Sequence, residues 1–117
     1  MRHKKQGKKL GRKRDPRKAL LRSLATNFVL AGGSMKTTIS KAKAVKPIIE
    51  KYITISKEKN LITKRRLEQY FYQDKAVSKL LEEIGPKYKE RKGGYTRIIQ
   101  LGTRKGDNAE EVILELV

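Results

Sequence analysis

The sequence predicts an α+β (α/β) fold in two layers, with helices covering a small three-stranded mixed sheet and a basic extension leading into the body. Three observations support this. Apolar residues recur at helical spacing in four stretches between residues 16 and 84. β-Branched alternation marks 34–39 and takes over after Tyr95, and ten of the first eighteen residues are Lys or Arg. The element order is helix, strand, three helices, two strands, with no internal repeat.

Asp15-Pro16 reads as the start of the first helix, because an Asp carboxylate accepts from orphan amides at an N-cap and Pro tolerates the first helical position. The helix is expected over 16–31. Leu20, Leu24 and Phe28 line up beside Leu21, Ala25 and Val29, and Gly32-Gly33 supplies the stop. Residues 34–39 alternate as a short strand. Ser40 is expected to cap a second helix over 41–57, with Ala42, Val45, Ile49, Tyr52, Ile53 and Ser56 on one face. Pro47 falls inside it and removes the bond to Lys43, which predicts a kink. Asn60 and Asp74 are the next caps, opening helices over 61–72 and 75–84, the latter ended by Gly85-Pro86. Residues 95–101 and 111–117 are extended runs joined by a loop too long for a tight turn. An antiparallel pairing is expected, with Leu101 opposite Glu111, Arg97 opposite Glu115 and Ile98 opposite Leu114.

The chain has 117 residues, 30 Lys and Arg against 12 Asp and Glu, and a net charge of +18. Leu, Ile, Val and Phe number 29, enough for a small core in so charged a chain. Half of the net charge lies in residues 1–18, which divides the molecule into a basic arm, 1–14, and one globular domain, 15–117. Met1 and Leu10 are the arm's only apolar residues, and Gly7 and Gly11 loosen it. Such a segment buries too little surface to offset its ordering entropy, so it is expected to order on binding. Fully extended it reaches roughly 45–50 Å. Arg22, Ser23, Thr26 and Asn27 interrupt the apolar stretch a secretory signal needs, and the arm is too rich in Lys and too poor in Ser for an organelle transit peptide.

The absence of Cys excludes disulfides, thiolate metal sites and cysteine nucleophiles. The one histidine, His3, sits in the arm with no fixed neighbour to tune it as a base. Glu82 and Glu83, or Glu110, Glu111 and Glu115, read as solvated faces balancing nearby cations, and no phosphate-loop motif is present. No catalytic residue, metal site or cofactor is expected, and neither is a small-molecule substrate.

Polyanion binding is better supported. Cations cluster in the arm (Arg2, Lys4, Lys5, Lys8, Lys9, Arg12, Lys13, Arg14, with His3 among them as a polar contact), at Arg17, and in Lys64-Arg65-Arg66, Arg91-Lys92 and Arg104-Lys105. Gly93 and Gly94 let the backbone approach a phosphate, and Tyr95 followed by Arg97 suits stacking on an unpaired base, or equally the start of a packed strand. Lys36, Thr37, Thr38, Lys41 and Lys43 put hydroxyls and cations at a helix start, where phosphate is favoured and plain N-capping is the alternative. No helix-turn-helix or zipper pattern points to duplex DNA, so a folded RNA is the preferred ligand. A nucleoid-type DNA-compacting protein and a membrane-active cationic helix over 16–31 are the rivals.

The opening 1–12, the helix 17–26, the segment 36–43, the loop-strand 93–98 and the ending 106–117 together resemble the bacterial large-subunit ribosomal protein family called L-seventeen. The likeness spans the chain, with one departure at 13–16, where the family more often shows small polar residues and a His. The resemblance implies a non-enzymatic, cytoplasmic component of the large ribosomal subunit that binds large-subunit ribosomal RNA. It also implies a position near the exit side of the nascent-chain tunnel, beside a small neighbour of the L-thirty-two family, with one copy per ribosome. The arm 2–14, the turn 36–43 and the loops 93–97 and 104–106 fall on matching motifs.

Overall fold

A computed structural model describes residues 14–117. The first helix, α1, spans Arg14–Leu30, and Asp15 lies within its first turn rather than before it. A carboxylate there still meets the partial positive charge of the first amides. The chain then turns through Gly32 and Gly33, with φ of +86° and +93°. Only glycine adopts these values cheaply. A Cβ at Gly33 would also collide with the Leu116 side chain, and the Gly33 carbonyl accepts the Leu116 amide at 2.8 Å.

Strand β1 (Ser34–Thr38) leads directly into α2 (Ile39–Ser56), which runs through Pro47 without a break. The cap of α2 is Thr38, not Ser40, and no side-chain hydroxyl serves it. Ala42, Val45, Ile49, Ile53 and Ser56 are buried along one face, as their spacing predicts, with Tyr52 half-buried beside them. Asn60 caps α3 (Leu61–Tyr70) by accepting the Thr63 amide at 2.9 Å, a contact worth about 1 kcal/mol. The cap of α4 (Asp74–Lys79) is Gln73, and Asp74 is its first residue.

Gly85-Pro86 does not end the last helix. It widens into a π-helical turn, Leu80–Ile84, and continues through a final turn, α5 (Gly85–Lys87). Leu80, Leu81 and Ile84 are buried, so the expected apolar face survives the change of pitch. Gly85 is itself buried; a Cβ there would stand 2.5 Å from the Ser56 carbonyl oxygen. That contact fixes α5 against the end of α2.

Strands β2 (Thr96–Thr103) and β3 (Glu110–Leu116) complete a sheet of order β1-β3-β2. Both pairings are antiparallel, so the expected mixed sheet is corrected. The long helical excursion between β1 and β2 returns the chain to the far side of β3, and no direct parallel pairing forms. Arg97 faces Glu115 and Ile98 faces Leu114 as expected. Leu101 does not face Glu111: the register shifts between Gln100 and Gly102, and Gly102 takes that place. Such a bulge adds one residue to one strand and increases its twist.

Alternation sorts the sheet into two faces. Val112 and Leu114 turn inward to join Phe28, Val29, Val45, Ile49, Ile53, Leu67, Leu80 and Tyr95 in one core. Burying each large apolar side chain contributes about 1.5–3 kcal/mol. Lys36, Arg97 and Ile99 are exposed on the other face. The helices therefore cover one side of the sheet and leave the other to solvent.

Candidate nucleic-acid interface

The expected site residues fall into separate patches. Arg2, His3, Lys4, Lys5, Lys8, Lys9, Arg12 and Lys13 lie outside the described residues. Arg14 opens α1, and Arg17 follows within it, half-buried.

Lys36 projects from the open sheet face, 3.9 Å from Glu111. Thr37 alternates toward the helices opposite Val112 and is half-buried, which leaves it less available than its neighbour. Thr38 stands at the start of α2 with its hydroxyl making no capping bond, so plain N-capping does not account for it. Lys41 and Lys43 follow in the same helix. On α3, Lys64, Arg65 and Arg66 are all exposed, set between buried Thr63 and Leu67. Helical geometry turns the two buried residues inward and the three cations out.

The 91–97 segment divides sharply. Gly93 and Gly94 have φ of +121° and +61°, and a Cβ at either would meet nothing within 4 Å, so the backbone is approachable from outside. Arg91 and Lys92 are exposed beside them. The Lys57 ammonium donates to the Arg91 carbonyl and clips the loop to the end of α2.

Tyr95 is a correction. Its ring is 1% exposed, Tyr88 packs against it at 5.3 Å, and its hydroxyl lies 3.0 Å from that of Thr54. A ring so enclosed offers no face to a base, and packing is its role. Burial pushes the Tyr95 phenol up, but hydrogen bonds with Lys57 and Thr54 and the Lys57 charge outweigh it, leaving the pKa below the ordinary value.

Strand β2 is held to α2 by one carboxylate: Glu50 accepts from the Thr96 amide at 3.1 Å and from its hydroxyl at 2.7 Å. Arg97 and Arg104 are tied within the chain, the first to Glu115 at 2.6 Å and the second to Asp107 at 2.5 Å. Lys105 stands exposed beside that second pair. The Arg104 bond holds the Asp107 carboxyl down at about 2, with the Ala109 amide assisting. Among the described residues, Lys41, Lys43, Lys64, Arg65, Arg66, Lys92 and Lys105 enter no ion pair. These cations remain open to an external anion.

One arrangement escaped sequence reasoning. Arg22 of α1 donates to the carbonyls of Tyr70 (2.8 Å) and Gln69 (3.0 Å), capping the end of α3. Its guanidinium carbon lies 4.4 Å from the Tyr72 ring centre and 5.4 Å from that of Tyr70. Tyr70 in turn stacks on Tyr52 at 4.5 Å and 22°. Burial, aided by the nearby Tyr52 phenol, pushes Tyr70 up to about 12. The only signal in the sequence is the aromatic run Tyr70-Phe71-Tyr72, which says nothing of Arg22.

Among the described residues no cluster of three or more His, Cys, Asp or Glu could hold a metal. No described helix is long and apolar enough to cross a membrane.

The family model described as Ribosomal protein L17 matches residues 20–117. The chain is 47% identical over 110 residues to the large ribosomal subunit protein bL17 of Clostridium acetobutylicum, covering 94% of this chain and 96% of that protein. It is 50% identical, over the same length and shares, to the protein of that name from Clostridium botulinum strain Hall. The counterpart in Thermoanaerobacter sp. strain X514 is also 50% identical, with 94% of this chain and 97% of that protein covered. Agreement of this extent with the fold and cationic surface in place has one meaning: the chain belongs to the Ribosomal protein L17 family.

Proposed function

We propose that this chain, a structural constituent of the large ribosomal subunit by its family, holds large-subunit ribosomal RNA with two kinds of surface. The body, 15–117, docks by phosphate contacts from Lys41, Lys43, Lys64, Arg65, Arg66, Lys92 and Lys105 and from the Gly93-Gly94 backbone. The arm, 1–14, threads between RNA helices and orders as it binds. Lys36, Arg97 and Arg104 contribute where an RNA phosphate competes with their own carboxylates. The observation that carries this reading is the surplus of cations that, among the described residues, have no carboxylate partner, most of them exposed, in a chain of charge +18. Crowded phosphates supply the missing counter-charge and release their condensed ions on contact.

Its partners are ribosomal RNA and neighbouring large-subunit proteins. Within that setting we place it near the exit side of the nascent-chain tunnel, beside a protein of the L-thirty-two family. Chemical cross-linking of intact large subunits tests that neighbour directly. For RNA itself, structured large-subunit RNA, duplex DNA and anionic vesicles are set in competition for the full chain and for a chain lacking 1–13. The expected result is preference for the structured RNA, with at least tenfold weaker binding by the shortened chain and an unchanged circular dichroism spectrum. Equal binding to duplex DNA would favour the compacting protein instead, and loss of the fold on truncation would make the arm part of the core.

A further inference from the structure

The groove between α1, α2 and α3 has a lining of distinct chemistry, and Arg66 of α3 lies near enough for its charge to act on Tyr52 there. Lys18 and Arg22 come from α1, Lys51 and Tyr52 from α2, Gln69 and Tyr70 from α3. Leu21 and Ile48 form its apolar walls. The ionisable lining is three cations and two phenols, with no carboxylate. Lys51 stands 5.5 Å over the Tyr52 ring, and the Tyr52–Tyr70 stack is continued by Arg22. We propose that this groove receives one unpaired nucleotide of RNA, its base against Leu21, Ile48 and the tyrosine stack and its phosphate between Lys18 and Lys51. The inference rests on the RNA-binding reading above and adds a base-binding site to it.

The chemistry selects that ligand in three ways. A base is a flat apolar body with a polar edge, and the groove joins apolar walls to the amide of Gln69, which both donates and accepts. Among the described residues neither the Tyr52 nor the Tyr70 hydroxyl has a hydrogen-bond partner, and a phenol is protonated at neutral pH, so both are available donors. A segment carrying eight Lys and Arg before Pro16 has the same sign as the groove, so the groove's cations match an anionic occupant better than the chain's own arm. A duplex, its bases already paired and stacked, offers phosphate alone and does not enter.

The test uses the full chain, isotopically labelled, and nuclear magnetic resonance. Probes are a single-stranded oligoribonucleotide, a blunt RNA duplex of equal length and poly-glutamate of equal charge. The single strand is expected to shift the Lys18, Leu21, Ile48 and Gln69 signals and to quench tyrosine emission, while the duplex moves only the exposed cationic patches. The exposed substitutions Lys51→Glu and Gln69→Ala are expected to weaken single-strand binding about tenfold, the scale of one lost hydrogen bond or phosphate contact, and to leave duplex affinity within twofold. RNA binding with unmoved groove signals would overturn the site while leaving the general reading intact. Equal groove shifts with poly-glutamate would assign the groove to an acidic protein segment and overturn the nucleotide. No binding of any RNA at low salt would overturn both readings.

Discussion

Asp107 shows how one exposed side chain registers its neighbour. The Arg104 guanidinium bonds both of its oxygens, at 3.1 and 2.5 Å, and the Ala109 amide adds a third bond at 3.2 Å. Hydrogen bonds to the charged form favour it, which is why the carboxyl falls from an ordinary 3.8 to about 2. A depressed carboxylate contributes order that is complete above pH 4 and is lost as pH falls toward 2. The carbon-detected titration of Asp107 is expected to centre near 2, and Arg104→Ala to return it toward 3.8. A midpoint that ignores the substitution would show the pair to be absent in solution. The same pair bears on recognition, since with Nε and Nη2 of Arg104 committed to Asp107 only its remaining N–H groups are free for a phosphate while the pair stands. Tyr95 makes the complementary point. Its position after two glycines and before an arginine suggests a base-stacking ring, yet sequence position could not reveal that Thr54 and Lys57, from another element, enclose it.

Among the elements, the junction of α2 with α5 is the least tolerant of change. Gly85 brings two backbones together, and an added Cβ would stand 2.5 Å from the Ser56 oxygen and 2.9 Å from the Leu80 oxygen. Neither atom belongs to a flexible side chain, so relief requires a helix to move. Gly85→Ala is expected to destabilise the chain by about 1–3 kcal/mol, read from the midpoint of urea unfolding. An unchanged midpoint would mean the approach is looser than this. The sequence marks Gly85 only as a helix stop, because Gly-Pro is a breaker pair by local rules, whereas packing of Leu80, Leu81 and Ile84 carries the helix past it through a π turn. Helix faces were legible because burial follows periodicity. Caps were less so: Asn60 serves as expected, but Ser40 and Asp74 each lie inside the helix they were expected to precede. Strand register was legible up to the bulge, which no alternation announces.

On the scale of the molecule, charge was the clearest message of the sequence, and its distribution governs a prediction. If six to ten phosphates are neutralised, affinity for RNA is expected to fall by about 10³–10⁵ between 50 and 200 mM salt, measured by filter binding or fluorescence anisotropy. A flat salt profile would contradict a phosphate-based interface. Composition could not say which cations are tied internally, because that depends on cross-strand partners such as Arg97 with Glu115. The sheet order β1-β3-β2 has a temporal corollary. Its middle strand comes after every other described element, so as the polypeptide emerges all the helices are made while β1 and β2 still have no ladder between them. A chain interrupted before Glu110 holds two unmatched rows of amides and an uncovered apolar layer. Completion of the sheet therefore waits for its last strand, because β1 and β2 each pair only with β3.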